Sequence, residues 1–175
     1  MGSPIRTIIW IATALIVSTP SAHAASFDVY RSACLDTGAD ISRIRSASSV
    51  WSPLSDAERE QLAPGNPRAV EGWAVMQSGS RYVVNISSST AGGMAGDRSG
   101  SAVVSCSVLT PKSDEKAALK SYTDYLKRPP STTDQSDGIA TYTWSVQDAS
   151  GLSLHYLVAG GALPGLSLSV SSIRK

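Results

Sequence analysis

Along the chain the apolar positions change rhythm several times, and each change marks an element. Residues 8–17, IIWIATALIV, form one short, nearly unbroken apolar run. Phe27, Tyr30, Arg31 and Cys34 then recur at three- and four-residue spacing, which predicts a short helix capped by Ser26 and ended by Leu35-Asp36-Thr37-Gly38. A weaker helical stripe puts Ile41, Ile44 and Ala47 or Ser48 on one face. Ser55-Asp56-Ala57-Glu58 reads as a capping box, in which Ser and Glu satisfy each other's exposed amides, and that helix stops at Pro64-Gly65.

From Glu71 the period becomes alternating. Trp73, Val75 and Gln77 alternate with Ala74 and Met76, Ser78-Gly79-Ser80 turns the chain, and Tyr82, Val84 and Ile86 share a face, so a hairpin is predicted. A third strand over 102–109 points Val104, Cys106 and Val108 one way. Thr110-Pro111-Lys112-Ser113 opens an amphipathic helix with Ala118, Leu119, Tyr122 and Leu126 as its apolar stripe, stopped by Pro129-Pro130. Residues 131–138 read as a polar loop, and strands follow over 139–147, 152–159 and 166–173. In the second of these Leu152, Leu154 and Tyr156 are expected to face the core, leaving His155 and Ser153 on the solvated side.

These elements predict an α+β fold: N-terminal short helices, an antiparallel three-strand meander, one amphipathic helix and a second three-strand meander, with a single layer of helices on a largely antiparallel sheet. The order suggests a degenerate duplication, although no residue-level match links the halves.

The apolar run changes the picture of the N-terminus. It follows Arg6 with no acid before it, it is far shorter than the roughly 20 residues a membrane helix needs, and it leads through Pro20 to Ala22-His23-Ala24, a small-x-small cleavage pattern. Residues 1–24 are therefore expected to be a cleaved secretory signal and 25–175 one globular domain, periplasmic or secreted, with no transmembrane segment after cleavage. Cys34 has a polar approach, Tyr30-Arg31-Ser32-Ala33, which does not resemble a lipobox. Of 15 basic residues the leader takes only Arg6, so the remaining 14 balance the 14 acids. A neutral domain is not built for nucleic acid or anionic membrane, which are bound through excess Lys and Arg.

The two cysteines, Cys34 and Cys106, are too far apart for a CxxC redox turn, and with one remaining histidine they cannot complete a four-ligand zinc site. In an oxidising compartment the expectation is one structural disulfide between them.

Candidate chemistry is sparse. After cleavage His155 is the sole histidine, so a hydrolase would have to use it with a Ser and an Asp, and no GxSxG elbow accompanies it. The Ser- and Gly-rich stretch 87–100 matches no phosphate loop; within it Gly92, Gly93, Met94, Asp97 and Arg98 form a candidate binding loop. Each neighbouring pair of acids (Asp36 and Asp40, Asp114 and Glu115, Asp134 and Asp137) has a capping, dipole or solubility explanation, so no catalytic acid is assigned. Tyr142 and Trp144 share a strand face, either as an exposed stacking platform or, the preferred reading, as core beneath a helix. No cofactor is expected. The leading expectation is a non-enzymatic binding module of the cell envelope or secreted milieu, with another envelope or secreted protein or a glycan as partner, bound through loops and an exposed sheet face. The alternatives are the His155 hydrolase and a structural or stress-related periplasmic protein without a small ligand.

Overall fold

A computed structural model describes residues 22–90, 102–111, 114–149, 151–161 and 165–174. Most of the predicted leader, and Gly92, Gly93, Met94, Asp97 and Arg98 of the candidate loop, lie outside the described residues. The fold is α+β. Helix α1 (Ala22–Tyr30) continues into a π-helical turn (Arg31–Leu35), followed by α2 (Ile41–Ala47), β1 (Ser52–Pro53), α3 (Asp56–Leu62), β2 (Val70–Gln77), β3 (Ser80–Thr90) and β4 (Ala102–Leu109). The second half holds α4 (Glu115–Leu126), β5 (Thr132–Ser136), β6 (Ile139–Asp148), β7 (Gly151–Gly160) and β8 (Leu166–Arg174). All eight strands form one antiparallel sheet in the order β1-β2-β3-β4-β8-β7-β6-β5.

That order has a symmetry the residues themselves hide. Each half opens on helix and contributes four strands, and the last strand of each, β4 and β8, meet antiparallel at the centre with Cys106 opposite Val170. The halves differ at their outer corners. β5 and β6 are joined by the tight turn Asp137-Gly138, both at positive φ (52° and 74°), whereas β1 and β2 are separated by α3.

Three local expectations need correction. Residues 131–138 contain a strand, β5, because backbone pairing with β6 suffices for an edge strand; all five of its residues are exposed, so no apolar alternation announces it. The described part of the first helix spans Ala22–Tyr30, with Ser26 buried inside it instead of capping it. Helix α4 is capped by Asp114, whose carboxylate accepts from the amides of Lys116 and Ala117 at 2.8 and 3.2 Å.

One face of the sheet carries the core. Ile86, Cys106, Val170, His155 and Trp144 form one cross-strand row, and Val84, Val108, Leu168, Leu157 and Tyr142 the next. Phe27, Tyr30 and Ala33 from the first helical segment and Ala118 and Tyr122 from α4 close over them. The Cys34–Cys106 disulfide staples the π-helical turn to the sheet's central strand, both cysteines fully buried. Among the described residues the other face is covered at one corner, where Leu54 leads into α3: its amide donates to Gly72 O at 2.9 Å and its side chain occupies the space a Cβ at Gly72 would need. An ion pair between Glu58 of α3 and Arg81 of β3 fastens the helix there.

The β5–β6 corner depends on Gly160. It lies at φ +89°, and a Cβ there would fall 2.1 Å from the carbonyl oxygen of Gly138, a backbone atom fixed by the turn. Gly160→Ala is expected to cost about 2–3 kcal/mol by strain and displacement of that turn. Urea unfolding would check this, and a cost below about 0.5 kcal/mol would mean that the hairpin yields freely.

Candidate functional site

Catalysis through His155 would require a hydroxyl or carboxylate beside the ring. Strand β7 places His155 between Trp144 and Val170, on the helix-covered face, with 6 % of its surface exposed. This overturns the expected solvated position. Both phases of β7 carry apolar residues, Leu152, Leu154, Tyr156 and Val158 on one and Leu157 and Ala159 on the other, so the strand alone does not fix its register. Its neighbours do, because Trp144 and Val170 have nowhere else to be buried. No serine, aspartate or glutamate among the described residues hydrogen-bonds to the imidazole, and Nδ1 is buried without a partner. Desolvation lowers its pKa from 6.5 to about 4, so the ring is neutral at physiological pH.

The aromatic pair is core. Trp144 is fully buried, stacks on Tyr122 with ring centroids 4.6 Å apart, and donates from Nε1 to Arg128 O at 3.2 Å. The Tyr142 hydroxyl donates to Glu115 Oε1 at 2.6 Å. Tyr122 projects from α4 onto the sheet, its hydroxyl 3.1 Å from the carbonyl oxygens of both Tyr156 and Ser169, and burial pushes that hydroxyl's pKa well up.

What remains open is the opposite face. Alternation turns a row of Asn85, Ser107, Ser169, Tyr156 and Thr143 outward across five adjacent strands, with Ser87, Ser105, Ser171, Leu154 and Ser145 as the next row. Neighbouring side chains on it are linked: Ser107 Oγ donates to Asn85 Oδ1 at 2.8 Å, and the hydroxyls of Ser105 and Ser171 are 2.8 Å apart. Neither row contains a Lys, Arg, Asp or Glu, and Tyr156 is their one aromatic ring. The sequence reading anticipated a sheet face and missed these residues, which are scattered from 85 to 171 and are brought together only by pairing.

A concavity of about 350 Å³ lies between the first turn of α4 and the β5–β6 hairpin, lined among others by Ala140, Ala159, Glu115 and Gln135. Among the described residues no cluster of His, Cys, Asp and Glu is placed to hold a metal ion, and no helix is long and apolar enough to cross a membrane. The architecture defines the class, a single antiparallel sheet with α1 and α4 on one face and, on the other, α3 at one corner beside a hydroxyl-lined surface. No family model, curated protein or solved structure matches the chain.

Proposed function

We propose that this chain is a non-enzymatic binding module, exported to the cell envelope or the secreted milieu after loss of residues 1–24, and that its partner, an exported protein or a glycan, docks on the open sheet face. The observation that carries this reading is the paired rows of hydroxyl and amide side chains around Tyr156, on the side of the sheet away from α1 and α4. Such a face offers many donors and acceptors on a rigid support, with an aromatic ring for stacking and no fixed charge to desolvate. The export reading rests on the leader pattern and on the long-range disulfide, which is stable where thiols oxidise. The hydrolase alternative draws less support, since its histidine is buried and, among the described residues, no hydroxyl or carboxylate hydrogen-bonds to it.

A pull-down of the purified protein from envelope extract, together with a panel of immobilised neutral and charged glycans, tests the reading. Ser169→Lys and Tyr156→Lys place a charge on the face while leaving the core residues alone. Both are expected to abolish capture of whatever wild type retains, with thermal unfolding little changed for Ser169→Lys. Undiminished capture by both variants would move the binding surface elsewhere, and a variant shortened between Thr90 and Gly100 then tests the loop.

A further inference from the structure

The buried imidazole of His155 has no task in the binding reading, and its surroundings give it a different one. Tyr122 of α4 meets it edge-on at 6.3 Å, and Trp144 of β6 and Val170 of β8 flank it in the ladder. Behind Tyr122 stand Tyr30 and Phe27 of α1, with the Tyr30 hydroxyl also buried. Among the described residues no carboxylate or basic group hydrogen-bonds or pairs with the ring. A proton taken up on the imidazole would therefore be a buried charge without a counterion, which proteins relieve by opening.

Which element opens is decided by how each is held. β7 is bonded along ten residues to β6 and along nine to β8, whereas α4 is held mainly by side-chain packing and a few side-chain hydrogen bonds. Elements without ladder bonds open at lower free energy. We propose that His155 is an acid-sensitive latch of the helical layer: protonation of its imidazole releases α4 from the sheet while the central strands stay paired. Desolvation alone sets the sign. The folded-state pKa, about 4, lies below the unfolded value of 6.5, so the closed form is fully favoured above pH 6.5 and is lost as pH falls towards 4.

The indole N–H of Trp144 reports on the latch, because its acceptor, Arg128 O, lies just beyond the C-terminal end of α4. Its hydrogen-exchange protection, corrected for the intrinsic pH dependence, is measured by NMR on the purified protein between pH 7 and pH 4. Amides of β4 and β8 serve as the control. Wild type is expected to lose indole protection on the order of a hundredfold across this range while the β4 and β8 amides hold. His155→Phe and His155→Leu are expected to show no such loss. Constant protection in wild type, an equal loss in the variants, or a parallel loss in the central strands would each overturn the proposal. If neither variant folds, the ring's own signals decide: an imidazole that titrates near pH 6.5 while the indole stays protected overturns it, and loss of protection that tracks ring protonation upholds it.

Discussion

Replacing both half-cystines, Cys34→Ala with Cys106→Ala, is expected to lower the unfolding free energy by about 4 kcal/mol, the loop-entropy value for a closure of this length. The sequence separation is 72, so the bond removes a large set of conformations from the unfolded chain. It also joins elements that no strand pairing connects, because the π-helical turn lies outside the sheet's ladders. Against the 5–15 kcal/mol typical of a domain, 4 kcal/mol is a large fraction, and the melting temperature should fall by roughly 8–16 °C. Urea unfolding of the double variant and of oxidised wild type gives the difference directly. A gap below about 1 kcal/mol would show that the helical segment is held by packing alone, and that the unfolded chain is already compact. Because both cysteines are fully buried, dithiothreitol should leave the bond intact in the folded protein and break it once denaturant opens the core.

Much of the fold was legible where local chemistry decides. The capping box of Ser55 and Glu58 is present as read, with Ser55 N donating to Glu58 Oε2 at 2.8 Å. Ser78 and Gly79 turn the first hairpin at positive φ, 51° and 74°, as two-residue hairpin loops require. The strand over 102–109 has the expected bounds and faces Cys106 inward, so the disulfide lies in the core. Where the outcome depends on neighbours, the sequence was silent. β5 has no apolar residue to show its period, and β7 has apolar residues on both faces, so the ladder it joins sets its phase. The β4–β8 pairing that unites the halves spans more than fifty residues and carries no local signal. The candidate binding face shares that property. Asn85, Ser107, Ser169, Tyr156 and Thr143 form a row only once four separate strand pairings are in register, and each alone is an unremarked polar residue on a strand.

Trp144 is the largest fully buried side chain among the described residues, and Trp144→Ala is expected to cost about 3–5 kcal/mol. The residue is fully buried, so truncation removes the whole transfer gain of the indole and leaves a cavity between β6 and α4 that a paired strand cannot collapse to fill. Stacking on Tyr122 adds a specific share, about 0.5–1.5 kcal/mol, which a double-mutant cycle of Trp144→Ala with Tyr122→Ala would isolate. The lost hydrogen bond contributes less, because its acceptor belongs to Arg128, an exposed residue where water can substitute. Trp144→Phe should therefore recover most of the loss. Trp73 provides the internal comparison. It lies on β2 near the sheet's edge, half-buried, meeting Trp51 edge-on at 6.3 Å, and Trp73→Ala is expected to cost less than half as much. Denaturant titrations of Trp144→Ala, Trp144→Phe and Trp73→Ala test the ordering. If Trp73→Ala proved as costly as Trp144→Ala, the anchor of the layer would lie at the first meander, and α4 would be a passenger on a sheet stabilised from its other end.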